Sequence, residues 1–196
     1  TLALADTASE TARACGAANL LTMVDGRLHA DSTDGRGLMI ALKAQAPGLS
    51  VKGAPVVILG AGGAARAAAH ALKVAGAEVH VLNRTRARAE ALAADLGVLA
   101  SGPDALAEAV LIVNALSVPA GIDIEALRDD AVLMDMTYKP LTTAFLAAGQ
   151  ARGLMTVDGL GMLVGQAGPS FRAIFGVEPP EEDVRGVCLK TLGETG

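Results

Sequence analysis

Between Val56 and Asp158 the chain alternates short, almost unbroken aliphatic runs with longer stretches in which Ala and Leu return at helical spacing. The runs "VVILG", "AEVHVLN", "LIVNAL", "AVLMDM" and "GLMTVDG" read as strands, and the stretches between them predict helices over about Gly62–Val74, on to about Leu96, and over Thr142–Ala151. A strand that is apolar at every position has to be covered on both faces, which a parallel sheet with helices on either side provides. The pattern therefore predicts an α/β fold class with a doubly wound parallel sheet.

The flanks have a different texture. Thr1 to Ala14 reads as helical, and two short apolar runs then bracket Asp25-Gly26, a strong signal for a type I′ hairpin. A helix is predicted over Asp34–Ala46, followed by the loop "APGLSVKG". Near the end, Gly159–Phe175 again reads as helical, and "EPPEED" suits a fresh helix start running to about Leu192.

Composition narrows the function classes. The 196 residues suffice for one full domain and part of another, and they are 52% hydrophobic, 19% charged and 2% aromatic. A net charge of −5 with so few stacking rings argues against nucleic acid as a partner. The apolar runs are interrupted well before the roughly 20 residues a membrane span needs, so no membrane partner is expected and the chain reads as soluble and cytoplasmic. Cys15 and Cys188 lie far apart, without metal-ligand spacing, and are expected to be reduced. His29, His70 and His80 are equally scattered, and no metal site is expected.

The segment "VVILGAGGAARA" sets Gly60, Gly62 and Ala65 at G-x-G-x-x-[GA] spacing, directly after a strand and opening a helix. In that context the first glycine permits the tight turn and the second lets backbone approach a pyrophosphate. The small third residue allows close helix–strand packing, as in a Rossmann dinucleotide site. The cofactor-binding residues expected here are Gly60, Ala61, Gly62, Gly63 and Ala64. The next strand ends at Asn83, where an NAD site usually carries an acid for the adenosine ribose. Asn83 is neutral, and Arg84, Thr85, Arg86 and Arg88 follow. Arginines at a helix start oppose its dipole unless an anion is bound there, so NADP is preferred over NAD, with a 2′-phosphate as that anion.

Several further segments share one pattern in one order. "GAANLL" resembles GAVNT, "STDGRG" resembles NTDGxG, "GAGGAARA" the GAGGA loop and "NRTRAR" the motif NRTxxR. Then "DMTYKPLTTAFL" resembles DxxYxPxxTxxL, and "GLGMLVGQAGPSF" resembles GxxMLxxQAxxxF. Together they resemble the shikimate dehydrogenase family over essentially the whole chain. The resemblance implies reversible, NADP-linked interconversion of 3-dehydroshikimate and shikimate in aromatic amino acid biosynthesis, with a small-molecule substrate; the sequence does not reveal the oligomeric state, and a homodimer stays open. It also implies that Asn19 and Asp34 bind substrate hydroxyls, that Asp34 pairs with a catalytic Lys, and that Tyr138 and Gln166 face the substrate. Arg84, Thr85 and Arg88 would hold the 2′-phosphate and Gly60–Ala64 the pyrophosphate, beside Asn83.

Read from the residues alone, Asn19 also suits a hairpin, Asp34 a helix cap, Gln166 a solvated helix face and Tyr138 the core. The sequence departs from the family pattern at Ser32, at Ala18 and Leu20, and in "NALSVPAG" around Asn114, where Leu116 to Pro119 differ. Those departures leave a quinate-using relative open. The family's catalytic Lys would precede Thr1, and none of Lys43, Lys52, Lys73, Lys139 or Lys190 stands in an equivalent context. The chain is thus expected to be an N-terminally truncated fragment, and a nucleotide-binding module without turnover is the alternative of a different class. The expected division is an NADP-binding Rossmann domain at 35–158 and a remnant of the substrate domain at 1–34 and 159–196.

Overall fold

A computed structural model describes residues 2–118 and 121–193. Pro119, named above among the departures, lies outside them, as does Thr1. The N-terminal part is not one helix. A short 3₁₀ turn at Leu2–Leu4 leads to strand β1 (Thr7–Ala8) and then helix α1 (Glu10–Cys15). The Ser9 side chain caps α1 by accepting from the Ala12 amide, and Gly16 closes it at φ 65°. The helical expectation over 1–14 fails because Thr7 and Ala8 find backbone partners in a distant strand, where local periodicity carries no information.

That strand belongs to the predicted hairpin. β2 (Leu20–Val24) and β3 (Arg27–Asp31) pair antiparallel, and β1 joins the far side of β3 in parallel. Asp25 and Gly26 both have positive φ, 51° and 74°, as a type I′ turn requires. Helix α2 (Asp34–Gln45) follows directly.

The central layer is a six-stranded, all-parallel sheet in the order β6-β5-β4-β7-β8-β9. Its strands are β4 (Pro55–Leu59), β5 (Glu78–Leu82), β6 (Leu99–Ala100), β7 (Leu111–Asn114), β8 (Val132–Asp135) and β9 (Met155–Val157). Helices α3 (Gly63–Val74), α4 (Arg86–Leu96), α5 (Ala144–Ala151), α6 (Gly159–Phe175) and α7 (Val184–Leu192) complete the order. The doubly wound parallel sheet is as the hydrophobic pattern predicts, with β6 the strand too short for that pattern to reveal.

Alternate residues of each strand feed two separate cores, as pleating dictates. Val56, Ile58, Val81, Val113 and Met134 join Leu38, Leu72 and Leu92 on one face, while Val57, Leu59, Ile112 and Leu133 join Phe145 and Leu146 on the other. Chain order reverses between β4 and β7, and the crevice outside the C-terminal ends of those strands is where ligands bind in such sheets. No described helix is long and apolar enough to cross a membrane. Cys15 and Cys188 are both free thiols.

Helix α2 lies close against α6 because both carry glycine at the crossing. A methyl group on Gly37 would sit 2.5 Å from the Met162 carbonyl oxygen and 2.9 Å from Gln166 Cβ, and one on Gly165 would sit 3.0 Å from the Gly37 oxygen. This contact sets the N-terminus of α2 beside the middle of α6.

Candidate active site

The close crossing assembles a polar cluster from three distant stretches of chain. Asn19, just before β2, donates through Nδ2 to Asp34 Oδ1 at 2.7 Å, to Thr33 Oγ1 at 3.0 Å and to Gln166 Oε1 at 3.0 Å. Its Oδ1 accepts from the Thr33 amide at 2.9 Å. Thr33 Oγ1 lies 3.1 Å from both Gln166 Oε1 and Ser170 Oγ. Asp34 is the first residue of α2 and not its cap: Thr33 holds the cap position, and the Asp34 carboxylate turns to Asn19. The helix-cap alternative for Asp34 and the solvated-face alternative for Gln166 therefore do not describe these side chains.

Among the described residues, Asp34 Oδ2 and Gln166 Nε2 have no hydrogen-bond partner, which leaves one acceptor and one amide donor available side by side. Burial pushes the Asp34 carboxyl above its usual range, and the Asn19 donor pulls the other way without cancelling it. Thr33, only 1% exposed, and Ser170 are members of this cluster that the sequence reading did not single out. Thr33 sits inside the "STDG" segment, so a signal was there, whereas Ser170 occupies a position its motif leaves free. Tyr138 is not brought into the cluster. It is 45% exposed on the loop after β8, so it is not a core residue either.

The glycine loop is built as its spacing predicts. Gly60 has φ 114°, and a side chain there would meet the Ala115 oxygen and Leu116 Cδ2 at 3.2 Å. Ala65 is fully buried against the sheet. Methyl groups on Gly62 or Gly63 would meet no protein atom within 4 Å, Gly62 to Ala64 are exposed, and no side chain caps that helix. An anion would find open backbone donors there.

Beside this loop runs a cleft of about 950 Å³, lined among others by Asn83, Arg84, Thr85, Arg88, Leu116 and Val118. The Asn83 side chain donates to the Thr85 carbonyl at 2.9 Å, which holds the turn before α4. Arg86 is occupied by Glu90 at 2.8 Å, while Arg84 and Arg88 have no ion-pair partner among the described residues. All three arginines line the cleft, one of them with an acid of its own and two without. The structure groups Gly60 to Ala64 with Asn83, Arg84, Thr85 and Arg88 at one edge of the sheet, and Asn19, Asp34 and Gln166 at the α2–α6 crossing.

Comparison with known proteins finds one set of relatives. Residues 41–123 match the family model described as shikimate / quinate 5-dehydrogenase. A protein of Caulobacter vibrioides named shikimate dehydrogenase (NADP(+)) is 54% identical over 98% of this chain and 73% of its own length. Shikimate 5-dehydrogenase of Thermus thermophilus, solved in complex with shikimate, superposes with a TM-score of 0.89 at 40% identity over 98% of this chain and 74% of that one. The same enzyme in complex with NADP(H) and shikimate gives 0.83 at 41% identity over 91% and 70%. With a Rossmann glycine loop, an arginine-lined cleft and relatives this similar over nearly its whole length, the chain belongs to the shikimate dehydrogenase family.

Proposed function

We propose that this chain carries out the NADP-dependent interconversion of 3-dehydroshikimate and shikimate, a step of aromatic amino acid biosynthesis. The observation that carries this reading is the Asn19–Thr33–Asp34–Gln166 cluster. It presents a free carboxylate oxygen and a free amide donor, the pair needed to grip vicinal hydroxyls of a polyhydroxylated ring. Asn19 holds Asp34 in place, and the raised carboxyl of Asp34 favours its sharing a proton with a basic partner, the role the family resemblance gives a Lys. Tyr138 would meet the substrate from the loop after β8.

NADPH, when bound, supplies the hydride that reduces the ketone. The residues present fit it: the open amides at Gly62 and Gly63 would take the pyrophosphate, Arg84, Thr85 and Arg88 the 2′-phosphate, and Asn83 the neighbouring ribose. In this reading residues 35–158 form the cofactor unit, and 1–34 with 159–196 the substrate side.

The test is NADPH formation from NADP by the complete protein with shikimate, and in parallel with quinate, together with fluorescence titration of NADPH and NADH. Turnover with shikimate and tighter binding of NADPH are expected. Turnover with quinate alone would reassign the substrate. Nucleotide binding without turnover of either would make the chain a nucleotide-binding module.

A further inference from the structure

At the C-terminal ends of β7 and β8 lies a second polar group, buried and separate from the cluster at the α2–α6 crossing. Asp135 is 1% exposed and Asn114 3%, and the two are register partners across the strands. Asp135 Oδ2 accepts from Asn114 Nδ2 at 3.0 Å and from Thr143 Oγ1 at 2.7 Å, while its Oδ1 accepts from the Thr137 amide at 2.9 Å. All three partners are donors, so the site is built for a carboxylate. Burying such a group solely to hold strands together is a poor solution, because apolar side chains do so without the desolvation cost. What it holds are loops.

Through Asn114 the carboxylate reaches the segment that lines the cofactor cleft. Asn114 Oδ1 accepts from the Leu116 amide at 3.2 Å, and Leu116 and Val118 both line the cleft. The same segment presses on the glycine loop, where the Ala115 oxygen and Leu116 Cδ2 leave no room for a side chain on Gly60. Through Thr143, which caps α5 by accepting from the Leu146 amide at 3.3 Å, it fixes the next helix. Through the Thr137 amide it sets the loop bearing Tyr138.

We propose that Asp135 is a positioning residue for the cofactor cleft: by orienting Asn114 it locks the 115–118 segment against the glycine loop in the form that accepts the nucleotide. This rests on the NADP reading above. The chemistry makes the link separable. Replacing Asp135 with Asn keeps an oxygen for the Thr137 amide but turns an NH₂ toward Asn114 Nδ2 and Thr143 Oγ1, so two donors face each other and the Asn114 link is lost. Changing Asn114 to Asp in the same chain restores a donor–acceptor pair and keeps an acceptor for the Leu116 amide.

The experiment titrates NADPH by fluorescence into the complete protein and the variants Asp135→Asn, Asn114→Asp and the double variant, with thermal melting and shikimate KM measured beside it. Expected is a rise in NADPH Kd of about tenfold in Asp135→Asn, equivalent to about 1.4 kcal/mol, with shikimate KM within about twofold of the parent. The double variant should recover most of the lost affinity. An unchanged Kd in folded Asp135→Asn, or a double variant no better than the single, overturns the proposal. Should Asp135→Asn not fold, Asn114→Ala cuts the same link from its other end, and parental affinity there overturns it equally. A parent protein that binds no NADPH removes the cofactor reading itself. Parental binding with an insensitive Asp135 removes this inference alone.

Discussion

The two halves of the candidate site are built by opposite means. The nucleotide edge comes from one continuous strand–loop–helix–strand unit: Gly60 to Ala64 sit at the end of β4, and Asn83 to Arg88 at the end of the neighbouring β5. Its residues need only the local fold to come together. The polar cluster at the α2–α6 crossing draws Asn19 from before a hairpin, Thr33 and Asp34 from a helix start, and Gln166 from a helix near the other chain end. There, position depends on how two helices pack, and glycines at the crossing decide how closely. Damage to the first half should therefore appear as lost affinity in a stable protein. Damage to the second should appear as lost turnover or lost stability.

The sharpest way to separate the halves is Asp34→Asn in the complete protein. Asn can keep the hydrogen bond from Asn19 but not the charge, and general acid–base groups contribute about 10²- to 10⁴-fold. We expect kcat for 3-dehydroshikimate reduction to fall at least about 10²-fold with NADPH binding unchanged. Turnover near the parental rate would take Asp34 out of the chemistry.

The reciprocal change is Arg84→Gln with Arg88→Gln. Each hydrogen bond to a charged group is worth about 1.5–3 kcal/mol, so each of the two substitutions should lower NADPH affinity about tenfold to a hundredfold while NADH affinity stays put. Equal losses for both nucleotides in fluorescence titration would break the assignment of these arginines to a 2′-phosphate.

A pair of glycine substitutions reads the same contrast in stability. Gly37→Ala drives a methyl group into the Met162 carbonyl and the Gln166 side chain, so denaturant unfolding should report a loss of about 1–3 kcal/mol. Gly62→Ala meets nothing within 4 Å and has φ −89°, which alanine adopts freely. Its stability should stay within about 1 kcal/mol of the parent while NADPH binding weakens. The reverse outcome would mean that the open space at Gly62 is not where the nucleotide lies.

The smallest expected effect is in pH dependence, where two half-buried carboxylates differ in sign. Burial raises the Asp34 carboxyl, so its contribution to stability is complete below the ordinary carboxylate range and is lost as pH rises through the raised value. For Asp158, burial also pushes upward, but the Arg185 guanidinium at 2.6 Å and the Gly161 amide outweigh it and hold the carboxyl low. Its contribution is present above the ordinary range and is lost as pH falls through the lowered value. Asp158→Asn should therefore be less stable than the parent at neutral pH and converge with it in acid. Asp34→Asn should gain on the parent between acid and neutral pH. Denaturant titrations in acid and at neutral pH that show the same trend for both would contradict the contrast.

The sequence by itself determined whatever depends on neighbours in the chain. Aliphatic runs interleaved with helical stretches imposed the parallel sheet, Asp25-Gly26 the hairpin turn, and the spacing of Gly60, Gly62 and Ala65 the tight strand-to-helix loop. The neutral Asn83 followed by arginines singled out the start of α4 as a place for an anion, because cations at a helix start oppose its dipole. Only the tertiary structure decided which of the three cleft-lining arginines is already taken by Glu90 and which two have no acid of their own. It alone placed Thr7 and Ala8 in a sheet, since a two-residue strand is fixed by its partner and not by its own periodicity. It also made Asp34 a partner of Asn19 instead of a helix cap and brought the buried Thr33 and Ser170 to Gln166. Those outcomes rest on the α2–α6 crossing, where glycine contacts far apart in sequence set the distance between helices.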